Sequence, residues 1–255
     1  MGKKIVSGEC RLCGFIGPLS FEHIPPEAAF NGLRGKAFTF DQLFVNKRGY
    51  QIFQHGFGDY SLCERCNNNT GSWYGKSYID FAYQCVATKK SIEEEHLLID
   101  KVLFSIYPLR ILKQIITIFF TVNHVVFKDM YPLLKDFILS KESQCFPDGL
   151  RIYSYLVEDM ISTRISPGVV GMISTITGET NLFSEFAYPP LGYILSYDNG
   201  NFDNRLLDIT FFKNYGYDEQ VNLNLSLNSL PIANTIFGEF RTPQEIMEAN
   251  AANGE

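Results

Sequence analysis

The sequence has no run of about 20 predominantly apolar residues, the length a membrane-crossing helix needs. Its most apolar region, Leu109 to Phe127, is divided by Arg110, Lys113, Gln114, Asn123 and His124, and its longest uncharged stretch, Gln114 to Phe127, is 14 residues. That pattern predicts a central buried helix and no membrane partner. Its start does not resemble a secretory signal, because Met1-Gly-Lys-Lys-Ile-Val runs into polar Ser7-Gly-Glu-Cys with no apolar core. Low-complexity tracts are absent. Nothing asks for disulfides: of six cysteines, Cys85 and Cys145 have no paired spacing, and a reducing, cytoplasmic setting suits the rest.

An excess of positive charge is lacking too. The formal charge of −6 over the whole chain argues weakly against nucleic acid. The two parts of the chain differ, however. Residues 1–90 carry 11 Lys+Arg against 7 Asp+Glu, net +4, whereas residues 91–255 carry 11 against 21, net −10. A modestly basic segment joined to an acidic one is compatible with phosphate contact by the first part alone.

What is present is a chain of 255 residues, 45% hydrophobic, enough to bury a substantial core as one large domain or two ordinary ones. Two CxxC pairs, Cys10/Cys13 and Cys63/Cys66, stand 49 residues apart. Four thiolates in paired spacing close a tetrahedral zinc site, and such a clip supplies folding free energy to a small unit with little core of its own. Gly14 allows the tight turn of the first knuckle. Between the pairs lies Glu22-His23-Ile24, read as a strand stopped by Pro25-Pro26. After Cys66, the run Asn67 to Tyr83 reads as a helix, with Trp73, Tyr74, Tyr78, Phe81 and Ala82 forming a face against the hairpin and Gly71 marking a close approach.

Cys10xxCys13, Glu22-His23-Ile-Pro and Leu62-Cys63xxCys66-Asn67 followed by Thr70-Gly71 resemble an HNH endonuclease domain of the type with four zinc-binding cysteines. The likeness is to the subgroup that writes EHIPP or EHVPP first and CxxCNNxTGxxY last, and it covers about residues 7 to 85, a third of the chain. The resemblance implies an α+β fold: an N-terminal ββα-metal module with a structural zinc clip, in which a hairpin and the following helix hold one catalytic divalent metal. It departs from many HNH enzymes in having Glu22 where they have aspartate, and Phe57-Gly58-Asp59 near the place of the middle asparagine that orients the histidine.

Phosphodiester hydrolysis needs a base for water and a positive centre for the charge that develops on the phosphate. His23 is the candidate base, Glu22 offers hard oxygen to Mg²⁺ or Mn²⁺, and the resemblance gives Asn67 the remaining place at that metal, though a helix cap would also explain it. Either Asp59 or a backbone carbonyl would hold His23 in its useful tautomer. Arg34, Lys36, Lys47 and Arg48 are candidate phosphate contacts, with an ordinary solvated loop as the equal alternative. His55 reads as a loop residue.

The division expected is a nuclease domain at 1–90 and a mixed accessory region at 91–255, helical over 91–142 and β-rich over 150–240. Ile92 to Ile106 reads as helix interrupted at Pro108; Val221 to Asn228 alternates strictly, the signature of a half-buried strand; Pro243 onward reads as a short helix. DNA is the expected partner, with RNA open because the hairpin addresses backbone phosphate. Residues 91–255 would sense a signal, bind a protein partner or form a homodimer, an organisation similar to proteins of mobile elements and defence systems. Beside the nuclease stands a second reading, a zinc-stabilised nucleic-acid or protein-binding module that does not cut.

Overall fold

The computed structural model describes residues 5–37, 51–95, 101–173, 180–198, 200, 202–233, 235 and 237–253. Near the N-terminus, β1 (Val6–Glu9), β2 (Ile16–His23) and β5 (Gly58–Cys63) form an antiparallel sheet in the order β1-β2-β5. The β1–β2 turn is the first cysteine knuckle, closed by Gly14 N–H to Cys10 O at 2.9 Å and Cys10 N–H to Phe15 O at 2.8 Å. Gly14 has φ +80°, which a side chain would resist. A separate ribbon pairs β3 (Gly35–Ala37) with β4 (Gln51–Phe53).

At Cys63 the chain passes directly from β5 into α1 (Glu64–Thr70), continues through a wider π-helical turn (Gly71–Gly75) and runs on as α2 (Lys76–Glu95). The helical stretch is thus longer at both ends than its sequence periodicity suggests. Gly71 does not mark a close approach: a Cβ there would meet nothing within 4 Å, and the residue is exposed at the π turn. The aromatic face also differs from expectation. At about 1.5 Å per residue, a 20-residue helix such as α2 spans about 30 Å, more than two short strands can cover. Its buried rings turn instead to later parts of the chain, with Phe81 5.6 Å from Phe104 and Tyr78 6.3 Å from Tyr193, while exposed Tyr83 meets Phe30 at 4.8 Å.

The segment expected to continue as helix to Ile106 is a strand, β6 (Val102–Ile106), with Phe104 and Ile106 buried and Leu103 and Ser105 facing out. That period of two overrides the helical trend of the preceding glutamates, and β6 pairs antiparallel with β12 (Val221–Leu225), the alternating run. Pro108 opens α3 (Pro108–Val122), where the missing N–H costs nothing, and α3 is buried on nearly every side. The short helices α4 (Phe127–Met130) and α5 (Pro132–Leu139) follow.

Beyond them, β7 (Arg151–Val157), β8 (Arg164–Ile173), β9 (Thr180–Tyr188), β10 (Leu191–Ser196) and β11 (Leu207–Asp208) lie in the order β11-β7-β10-β9-β8, with β13 (Ser229–Leu230) parallel to β7, and α6 (Pro243–Asn253) comes last. The chain is a mixed α+β protein. No helix among the described residues is long and apolar enough to cross a membrane.

One cluster of buried side chains runs from Cys10 and Leu62 through Tyr74, Phe81 and the apolar residues of α3 to Tyr193 and Leu225, so packing crosses position 90 without a break. Polar ties follow the same path. Tyr74 donates to Ile138 O at 2.6 Å, Lys89 to Val157 O at 2.9 Å, and Tyr217 to Trp73 O at 3.1 Å.

Lys113, fully buried in α3, closes the end of α5 by donating to the carbonyls of Phe137 and Ser140, with its ammonium 4.0 Å from the Phe137 ring centre. Burial pulls this lysine down from 10.5 to about 7, with Glu142 opposing weakly. Below about 7 both states hold the proton; between about 7 and 10.5 the unfolded chain holds more, so folding stability rises with pH across that window. Denaturant titrations at pH 7 and pH 9.5 should show this rise in the native protein and a smaller one in Lys113→Met; equal slopes would refute the burial of a charge-bearing lysine.

Candidate functional site

The sulfur atoms of Cys10, Cys13, Cys63 and Cys66 lie within 4.8 Å of one another, and Cys13 Sγ is 3.8 Å from Cys63 Sγ. A disulfide needs about 2.05 Å. Tetrahedral zinc with Zn–S bonds of about 2.3 Å sets its sulfurs about 3.8 Å apart, so the donor set and spacing fit a structural zinc ion. Backbone placement explains the cluster: the first pair sits on the β1–β2 turn, and the second spans the junction of β5 and α1.

Three of the four cysteines are buried. Cys10 is drawn down to about 4 by the Cys66 thiol donating to it, helped by the N–H groups of Cys13, Cys63 and Leu12. Cys66 is pushed up because it supplies that hydrogen and sits beside the resulting charge. A nest of donors that favours thiolate is what a cationic metal requires. Arg65, exposed on α1, adds a further hydrogen bond to Cys13, which raises its own guanidinium.

His23 ends β2, where its Nε2 lies 2.9 Å from the carbonyl oxygen of His55. A carbonyl can only accept, so Nε2 carries the hydrogen, and in the neutral ring the lone pair is on Nδ1. Nδ1 faces the Glu27 carboxylate at 3.9 Å, beyond hydrogen-bond reach. Of the two partners considered for His23, the backbone carbonyl is the one in place. Asp59 is committed elsewhere, pairing with Arg11 at 2.7 Å, and Arg11 also donates to the carbonyl of Thr121 at the end of α3.

Glu22 accepts a hydrogen bond from buried Ser61. Burial pushes its acid up to about 8, with Ser61 and Arg11 pulling the other way and the Cys10 charge adding to the rise. Asn67 reaches from α1 to β2, donating to Ser20 Oγ at 3.1 Å and to Phe21 O at 3.4 Å. The hairpin and helix therefore bring Asn67 to the strand one residue before Glu22, and Glu22 and His23 follow in sequence. Asn67 makes no cap bond: the helix begins at Glu64, and the residue before it, Cys63, offers no side-chain cap.

Asn31 escaped the sequence reading. Fully buried, it donates to Pro25 O and Phe57 O and accepts from Phe57 N–H, each at 2.7 Å. These bonds join the turn after His23 to the segment that supplies the His55 carbonyl. Gly56, at φ +81°, sits so close that a Cβ would lie 1.9 Å from Asn31 O. A buried asparagine bonding only backbone has no spacing signature, although Asn31-Gly32 in an otherwise basic loop is the residue type that does it. Arg34 and Lys36 are exposed on and before β3, near this turn through the Gly56 N–H to Leu33 O bond of 2.9 Å. Lys47 and Arg48 lie outside the described residues. His55 is exposed and contributes its carbonyl.

Asn31→Ala strips three buried backbone groups of their partner and should cost about 3 kcal/mol of folding free energy. Denaturant unfolding of the zinc-loaded protein measures it, and a loss within about 0.5 kcal/mol, the range of an ordinary surface substitution, would contradict the arrangement.

No family model, curated protein or solved structure matches the chain.

Proposed function

We propose that the chain is a metal-dependent endonuclease of the HNH type, hydrolysing phosphodiester bonds at His23, Glu22 and Asn67. The observation that carries the reading is the placement of His23: one ring nitrogen is fixed by a backbone carbonyl, and the other, which has the lone pair in the neutral ring, is left at the end of the strand that also carries Glu22. Nδ1 takes the proton of an attacking water, and the Glu27 carboxylate at 3.9 Å stabilises the imidazolium so formed.

The fit of a cation rests on Glu22. It is half-buried with its carboxyl against buried Ser61, Arg11 only partly offsets its charge, and a divalent ion would restore the carboxylate that burial suppresses. Glu22 and the side-chain oxygen of Asn67 would hold Mg²⁺ or Mn²⁺. Such an ion, when bound, supplies Lewis-acid stabilisation of the phosphate and of the leaving oxygen. The Asn67 amide nitrogen, bonded to Ser20 Oγ and Phe21 O, orients that residue toward the strand. DNA is the proposed substrate, positioned in part by Arg34 and Lys36.

A second reading has an observation in its favour. Glu22 is held by Ser61 and Asn67 by Ser20, so each is already satisfied within the protein, as in a zinc-stabilised binding module that does not cut.

Supercoiled plasmid and circular single-stranded DNA, each incubated with the purified protein and Mg²⁺ or Mn²⁺, separate the two. The nuclease reading expects metal-dependent nicking that falls about 10²–10⁴-fold in His23→Ala, with the zinc content of the variant unchanged. Absence of cutting of both DNAs would favour the binding module, and cutting untouched by the substitution would remove His23 from the site.

A further inference from the structure

The hairpin carries a feature that the chemistry above does not use. Pairing between β2 and β5 slips between Ser20↔Leu62 and Glu22↔Asp59, so that Tyr60 and Ser61 together stand opposite Phe21. Such a bulge re-aims side chains. Ser61 turns inward to Glu22 and is fully buried, while Tyr60 turns outward beside Phe21. The rings of Phe21 and Tyr60 lie 5.4 Å apart, and Phe21 meets the His23 imidazole edge-on at 5.3 Å.

Phe21 and Tyr60 are 45% and 36% exposed. Their positions are nevertheless fixed. The Phe21 ring lies across Gly58, where a Cβ would come within 2.6 Å of it, and Gly58 is the residue paired with His23. The surroundings supply charge of the right sign, since exposed Arg34 and Lys36 leave the same turn that holds His55 against His23. Asp59, the acid next to Tyr60, has its charge met by Arg11.

We propose that Phe21 and Tyr60 are a stacking platform for an unpaired nucleobase, placing the adjoining phosphate beside His23, and that the substrate is therefore single-stranded nucleic acid rather than intact duplex. Stacked bases of a duplex have no free face to offer, whereas an unpaired base stacks on an aromatic ring whatever its identity. Placement of the phosphate at His23 rests on the nuclease reading; stacking itself does not. A purely structural role for Phe21, covering Gly58, does not extend to Tyr60.

The test uses the zinc-loaded full chain without added divalent metal and end-labelled 12-nucleotide probes: single-stranded DNA, single-stranded RNA and duplex DNA, read by fluorescence anisotropy. The proposal expects tighter binding to a single strand than to duplex. It expects Tyr60→Ala and Phe21→Ala each to weaken single-strand binding by about fivefold or more, with duplex binding changed less than twofold and Phe21→Tyr close to native. The two single strands separate DNA from RNA as the source of the base. Duplex bound as tightly as single strands, equal loss on both, or native binding by Tyr60→Ala would overturn it. Cleavage assays read independently: a single-strand binding preference without cutting of single-stranded DNA or plasmid removes the nuclease reading and keeps the platform, and cleavage with no strand preference does the reverse.

Discussion

Everything proposed for the N-terminal part depends on four sulfur atoms lying within 4.8 Å of one another. Two of them belong to the turn that joins β1 to β2, and two to the point where β5 becomes α1. Holding these together fixes three relations at once: the register of β2 against β5, the angle at which the helix leaves the strand, and the placing of Asn67 over Ser20. The sheet itself is small, with strands of four, eight and six residues. It would gain little by burial alone, and a metal bound by the four sulfurs would supply an interaction strong enough to close a chain segment of this length.

The second constraint comes from the rest of the molecule. Helix α2 buries its aromatic face against β6, α3 and β10, and Arg11 links the first cysteine knuckle to both Asp59 and the end of α3. A salt bridge of 2.8 Å between Glu9 and Lys128 adds to this attachment. The candidate site is thus tied by packing and ion pairs to residues far away in sequence.

What the sequence made legible was local and chemical. CxxC spacing gave the four clustered cysteines because the turn geometry of a knuckle is encoded in adjacent residues, and the alternation of Val221 to Asn228 gave a strand, which the structure ends at Leu225. The partner strand, Val102–Ile106, was obscured by the helix-forming glutamates before it; its pairing with a segment over a hundred residues away decided the matter. The face of α2 was recognised but not what it packs on, since periodicity reports burial and not the partner. Asp59 looked suited to orient His23, yet the competing charge of Arg11 claims it, and the structural work around His23 falls to Asn31 through backbone bonds that leave no sequence pattern.

The most direct measurement is of zinc itself: metal content of the purified chain, followed by amide hydrogen exchange before and after stripping with a strong chelator. One zinc per chain is expected, with exchange on stripping rising sharply across Val6–Glu9, Ile16–His23 and Gly58–Thr70 while Arg151–Val157 and Leu191–Ser196 remain protected. A chain that purifies without zinc and keeps the same protection in the hairpin would contradict the central place given to the four cysteines.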